Sequence, residues 1–322
     1  MRSLRSLGLL ALYVGAQAVA LILAFPFKTA GLSSTSNPNS PTNPLLIIVV
    51  IVVAPLVILY VARWRGGLAT LRGLILVGIA ASLDITLQAS FSLVLPAATW
   101  MNPLGFGQVL DYSIPLSSGV AVGLFLILLM DPQWYVVDLV GFIAGGSLIA
   151  LLGISFGILP ALILLSALAV YDFIAVYRTK HMISLADAVV EMKLPILLVM
   201  PAAPGYDYSR QSSFQAQRNR PSEEREAMFM GLGDIVIPGT LVVSAFVWLP
   251  ATGLLPGIGG NLVVALGAMA GSLVGYAFLM RLVSQGNAQA GLPLLNGGAI
   301  AGYVLSYLLV FHSLTLGISL NF

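Results

Sequence analysis

Cysteine is absent from this chain of 322 residues, which removes disulfides, thiol nucleophiles and cysteine-based metal sites together. Histidine is nearly absent as well. Only His181 and His312 occur, and there is no H-E-x-x-H helix, so a catalytic zinc has too few ligands and no metal site is expected. The same scarcity argues against an intramembrane serine protease, which needs a serine and a histidine facing each other inside a helical bundle. His181 lies beside Arg178 and Lys180 in a polar stretch, and His312 lies near the outer end of the last apolar run. Charge is scarce too: 8% charged residues against 59% hydrophobic ones leave too little polar surface to cover a water-soluble globule, so the lipid bilayer must be the solvent. A net charge of +2 without a nucleic-acid-binding signature sets nucleic acid aside as a partner.

What is abundant is long apolar runs. A helix crosses the hydrocarbon core in about 20 residues, and nine runs of that kind, bounded by charge, Pro or Gly, fall at 7–27, 45–62, 68–91, 113–130, 135–156, 158–177, 228–249, 257–280 and 292–312. The stretch from Tyr135 to Tyr177 is nearly continuous, but at 1.5 Å per residue it would extend about 65 Å, twice the hydrocarbon thickness. It must turn once, and Gly153, Gly157 and Pro160 mark the place.

Lys and Arg, counted on alternate sides, give the orientation. One side receives Arg2, Arg5, Arg63, Arg65, Arg72, Arg178, Lys180, Lys193, Arg210, Arg218, Arg220, Arg225 and Arg281; the other receives only Lys28. The expected fold is therefore an all-α membrane protein of nine transmembrane helices in the cell membrane, N-terminus cytoplasmic and C-terminus extracytoplasmic. Residues 1–18 also read as a signal peptide with Ala16-Gln17-Ala18 as a cleavage site, but the apolar run continues to Phe27, which suits an uncleaved span better.

Three parts follow: 1–177 with six spans, a cytoplasmic loop over 178–227, and 228–322 with three spans. The loop holds half of all basic residues and an apolar island, Leu194 to Met200. Residues 29–44, rich in Ser, Thr, Asn and Pro, read as an outer loop without regular structure. No internal repeat of the kind common in transporters is evident.

Four carboxylates, Asp84, Asp138, Asp172 and Asp234, fall inside expected spans, where each is costly and hence a functional candidate. Asp172 lies about 8 Å from the inner end of the sixth span and Asp234 about 9 Å below the same boundary on the seventh. The two match in depth on consecutive antiparallel helices. Carboxylates a few ångströms apart in low dielectric cannot both be ionised cheaply, so they should share a proton. That suits peptide hydrolysis: the ionised aspartate takes a proton from attacking water and the protonated one donates to the carbonyl oxygen. A hydrogen-bonded pair that merely fixes helix packing, or half of a proton relay, fits the depth equally well.

The neighbours favour the site reading. Gly231-Leu232-Gly233 precede Asp234 and leave one helix face bare for water or a substrate backbone, and Pro238-Gly239 weaken the helix one turn on. Pro293-Leu294-Leu295 opens the ninth span at the level of the two aspartates, where Pro293 either leaves a carbonyl unpaired or simply opens a first turn. Asp84, with Thr86 and Gln88 nearby, reads as a structural polar contact. Asp138, near the inner end of the fifth span, reads as structural and within reach of headgroups or a cation. Asp207, in Tyr206-Asp207-Tyr208 beside Pro204 and Gly205, reads as a solvated loop aspartate.

Tyr171-Asp172, Gly231-Leu232-Gly233-Asp234 and Pro293-x-Leu295, in that order on the sixth, seventh and ninth spans, resemble the presenilin and signal-peptide-peptidase family of intramembrane aspartyl proteases. The resemblance implies that Asp172 and Asp234 are the catalytic pair, supported by Tyr171, Gly231, Leu232, Gly233, Pro293, Leu294 and Leu295. It implies transmembrane or signal-peptide segments as substrates and no cofactor, and it leaves a homo-oligomer open. Leu294 stands where the family carries a small Ala, so the substrate groove is expected to be narrower. The segment from Lys193 to Pro201 resembles one that signal peptide peptidases carry in the same loop, either a strand for an unwound substrate or an interfacial helix. The inward N-terminus is similar to presenilins, and the lack of long insertions to compact prokaryotic relatives. A proton-coupled transporter or ion-conducting bundle is the alternative, although it predicts acids spread through the membrane depth. A prepilin-type peptidase resembles the chain only around residues 231–234, and Leu294 leaves a non-catalytic scaffold open.

Overall fold

The computed structural model describes residues 2–92, 94–95, 98–101, 107–110, 112–179, 190, 192–203, 205–208, 226–255, 258–283 and 289–318. His181 and most of the basic residues of the 178–227 loop lie outside them. Among the described residues the helices are α1 (Arg2–Thr29), α2 (Asn43–Val61), α3 (Gly67–Phe91), α4 (Ser113–Met130), α5 (Trp134–Ser155), α6 (Ile158–Ile174), α7 (Gly233–Trp248), α8 (Gly260–Val283) and α9 (Leu292–Phe311). Eight of these are long and apolar enough to cross a bilayer, and α7 is a shorter apolar ninth. Large side chains such as Ile22, Leu46, Leu74 and Leu309 are 70–75% exposed. Such faces are stable only against lipid.

The expected turn between the fifth and sixth spans falls at Phe156 and Gly157, both in extended conformation. Residues 30–42, without regular structure as expected, fold over this junction: Thr35 Oγ1 donates to the Ser155 carbonyl and the Gly157 N–H donates to the Pro38 carbonyl. The π-helical turn Ala175–Thr179 extends α6 at its other end.

The sequence pattern is wrong about one stretch. Residues 228–232, expected as the first turn of the seventh span, are not helical; Ala227–Gly231 is a strand paired antiparallel with Leu197–Pro201, with Leu198 opposite Met230 and Met200 opposite Met228. Apolar composition alone does not separate a buried strand from a helix. The apolar island is accordingly extended, and its hydrogen-bonding partner is this chain itself. With short hairpin strands at Ala98–Met101, Gly107–Leu110, Gly253–Leu255 and Ile258–Gly259, which the span pattern does not foresee, these strands are β1 (98–101), β2 (107–110), β3 (197–201), β4 (227–231), β5 (253–255) and β6 (258–259).

The core is centred on α7. Every residue from Ile235 to Ala245 is buried, so the helix is covered all round, and α1, α5, α6, α8 and α9 pack against it. Helices α3 and α4 pack on each other at the periphery, with α2 touching α3 and α6. The α8–α9 seam is made of small residues. An added Cβ on Gly271 would strike the Gly298 carbonyl and lie 2.8 Å from Gly302 Cα, and one on Gly275 would strike the Leu294 carbonyl. Backbones therefore meet directly, the close approach that small residues permit in membranes.

Tyr206-Asp207-Tyr208 is not a simple solvated loop. Tyr208 is fully buried, Asp207 is half-buried, and Lys193 Nζ stands 4.7 Å from the Tyr208 ring centroid. Burial pushes the Lys193 ammonium below the usual lysine range, only partly opposed by the nearby Asp207 carboxylate. The folded state thus holds this proton less firmly than the unfolded chain. Stability should rise with pH across the interval just below lysine's ordinary pKa, and melting curves of Lys193→Met should lack that increment.

Candidate active site

Asp172 lies two residues before the end of α6, and Asp234 is in the first turn of α7. Those two helices pack against each other. The residues that bring the carboxyl groups to one place belong to the approach to α9. The Leu292 N–H donates to Asp172 Oδ2 at 3.0 Å, and the neighbouring Gly291 backbone is hydrogen-bonded to the same carboxyl. A Cβ on Gly291 would lie 3.3 Å from Asp234 Oδ1. Both carboxyl groups therefore flank the Gly291–Leu292 link, and Asp234 is within electrostatic range of Asp172. The first N–H groups of a helix have no intrahelical acceptor, and Asp172 uses one of them on α9. Asp172 is 5% exposed and Asp234 is half-buried.

The Gly-x-Gly element has a distinct job at each residue. Gly231 ends β4, and its N–H donates to Asp234. Leu232 packs into α5, where a Cβ on Gly145 would approach its Cδ1 to 2.8 Å. At Gly233, which is exposed, an added Cβ would meet nothing within 4 Å. Pro293 is in the first turn of α9, and the amides of Leu294 and Leu295 both donate to the Gly291 carbonyl at 3.2 and 3.1 Å. The proline opens a helix here, the plainer of its two readings. Leu295 is fully buried, while Leu294 and Tyr171 are half-buried.

Two contributors carry no strong sequence signal. Gly291 is one of 33 glycines, and only its contact with Asp234 sets it apart. Asn296 is fully buried and its Nδ2 donates to the Leu165 carbonyl at 2.8 Å, joining α9 to α6 one turn below the site. A lone Asn in an apolar span was the available clue. At the other edge the Tyr177 hydroxyl donates to Gln289 Oε1 at 2.7 Å, tying the end of α6 to the α9 approach.

The remaining acids are elsewhere. Asp84 Oδ1 accepts from Ser117 at 2.7 Å and Ser118 at 3.0 Å, which makes it the α3–α4 polar contact expected of it. Asp138 is a structural contact, as expected, enclosed within the protein. It is 6% exposed and accepts from the Val199 N–H at 2.7 Å. Among the described residues no cluster of His, Cys, Asp and Glu has the makings of a metal site.

The family described as signal-peptide peptidase, presenilin aspartyl protease matches residues 10–312. A solved structure of a presenilin family intramembrane aspartate protease in space group C222 is 31% identical, covering 94% of this chain and 99% of that one with a TM-score of 0.65. A second, in space group P2, is 33% identical over 94% of this chain and 97% of that one, with a TM-score of 0.63. No curated protein matches. A family match over nearly the whole length and relatives above 30% identity lead to one conclusion: this multi-pass membrane protein belongs to the signal-peptide peptidase and presenilin family of intramembrane aspartic proteases.

Proposed function

We propose that Asp172 and Asp234 are the catalytic pair, and that the protein hydrolyses peptide bonds within transmembrane or signal-peptide segments. The observation that carries this reading is the convergence of the two carboxyl groups on the Gly291–Leu292 link. One carboxylate takes a proton from water as it attacks, and the protonated partner donates to the scissile carbonyl oxygen. Gly233, exposed and without a side chain, is the residue beside Asp234 past which water and the unwound substrate backbone would come. Tyr171, Gly231, Leu232, Pro293, Leu294 and Leu295 form its walls and supports. The strong bias of basic residues supports a cytoplasmic N-terminus, nine crossings and a site near the inner face. On the same reading the parts 1–177, 178–227 and 228–322 supply one aspartate, the connecting loop, and the other aspartate with α9. Cleavage of a transmembrane reporter in proteoliposomes by wild type, Asp172→Asn and Asp234→Asn tests the assignment, and a correctly inserted variant that still cleaves would reject it.

Leu294 sets the width of the approach. It packs partly against the core and stands next to the Gly291–Leu292 link. Leu294→Ala should raise kcat/KM by about tenfold for reporters with a bulky residue at the cleaved bond, at a stability cost of about 2 kcal/mol. Reporter kinetics paired with a melting curve would check both halves.

A further inference from the structure

The family reading uses two of the four intramembrane acids and leaves Asp138 without a role. Its hydrogen bond is informative because of where the acceptor sits in the ladder. The Leu232 N–H donates to the Ile196 carbonyl at 2.9 Å and the Ala202 N–H to the Glu226 carbonyl at 2.7 Å, which extends the β3–β4 pairing at both ends. In an antiparallel pair the hydrogen-bonded residues alternate. Residues 196, 198, 200 and 202 therefore face β4, and the Val199 N–H points the opposite way, toward α5. Pro201 has no N–H to offer on that edge. Asp138 satisfies a buried donor that would otherwise be orphaned, and it closes the β3 edge with a helix.

Asp138 does not act alone on that helix. Gly141, one turn on, lets the backbone before β3 come so close that an added Cβ would lie 3.0 Å from the Pro195 carbonyl oxygen and 3.1 Å from Leu198 Cδ2. Gly145, one further turn on, receives Leu232. Residues spaced by three and four lie on one helix face. That face of α5 touches β3, the backbone just before it at Pro195, and the residue two before Asp234.

We infer that this face, Asp138 with Gly141 and Gly145, is a positioning surface for the protease reaction. It fixes the β3–β4 sheet and Leu232, and through them the place of Asp234 against Asp172 and the Gly291–Leu292 link. The inference rests on the proposed function above. Asp138 is a positioning residue rather than a catalytic one: a neutral oxygen acceptor at that position suffices, and its charge is not needed for the chemistry.

The test compares purified full-length variants on a transmembrane reporter in proteoliposomes, with amide exchange followed over residues 196–201 and 227–234. Asp138→Val should lower kcat by about tenfold to a hundredfold with KM within about twofold, and should speed exchange in both segments. Asp138→Asn, whose side-chain carbonyl accepts the same N–H, should keep kcat within about threefold of wild type and keep the exchange slow. Gly145→Leu leaves Asp138 intact and should lower kcat as the valine variant does, so it carries the test should Asp138→Val not fold. Wild-type kcat in Asp138→Val, or in a folded Gly145→Leu, would overturn the inference. So would an asparagine variant as impaired as the valine one, since that would make the charge the essential feature. Asp234→Asn run alongside separates the two readings: if it still cleaves, the catalytic assignment fails, whatever Asp138 does.

Discussion

Replacing either Asp172 or Asp234 with Asn should reduce cleavage of a transmembrane reporter by about 10³-fold or more, and the double replacement should cost little beyond either single one. Asn is nearly isosteric with Asp but can neither take a proton from water nor donate a carboxyl proton. The pair acts as a unit, so effects of residues within it are not additive. The hydrogen bond from the Leu292 N–H can still be accepted by the amide oxygen of an Asn at 172, so the fold around the site should persist. Equal insertion, elution and melting temperature with lost turnover is therefore the expected outcome. Turnover near the wild-type value in either variant would transfer the chemistry to other residues.

The second large effect is expected on the seam rather than at the carboxyl groups. On α8, Gly275 faces the Leu294 carbonyl so closely that any side chain must displace α9; its Cβ would also lie 2.8 Å from Leu294 C and 3.1 Å from Leu295 Cα. The obstacle is backbone, which cannot rotate away as the end of a side chain can. Gly275→Leu should push the start of α9, and with it Leu292 and Gly291, away from the aspartates. A misplacement of about 1 Å can cost about 10²-fold in rate, so kcat/KM should fall by roughly that factor. Gly297→Ala on α9, where an added Cβ meets nothing within 4 Å, is the matched control and should cleave at the wild-type rate. Steady-state cleavage and thermal unfolding, measured on both variants, distinguish displacement of the site from loss of the fold.

These expectations also mark what can be read from the sequence and what cannot. Helix positions were legible because twenty apolar residues have few other solutions: the fourth run is Ser113–Met130 in both readings. The aspartates were legible because an acid in an apolar run is conspicuous. The start of the seventh run was not, since the Met228–Leu232 stretch is as apolar as a helix and becomes a strand only because Leu197–Pro201 lies beside it. That pairing bridges the 25 residues between Pro201 and Ala227 and leaves no local trace. The role of Gly291 is not legible for a related reason. Its importance comes from lying against Asp234 on another element, which nothing in its neighbours discloses. The seam of Gly267, Gly271 and Gly275 on α8 against Gly298 and Gly302 on α9 is likewise apparent only in the structure, because what makes those glycines necessary is the facing backbone. Asp138 reads as structural from the sequence and is so, but its partner, the Val199 N–H on a strand far along the chain, has no local sign.

The most direct measurement is a structure of the protein bound to a peptide mimic whose scissile bond is replaced by a hydroxyl-bearing carbon. The hydroxyl should lie within about 2.6–3.2 Å of one oxygen of Asp172 and one oxygen of Asp234 at once, with the Gly291–Leu292 link alongside. A hydroxyl held by only one aspartate, with the other turned toward lipid, would contradict the shared-proton site on which this account rests.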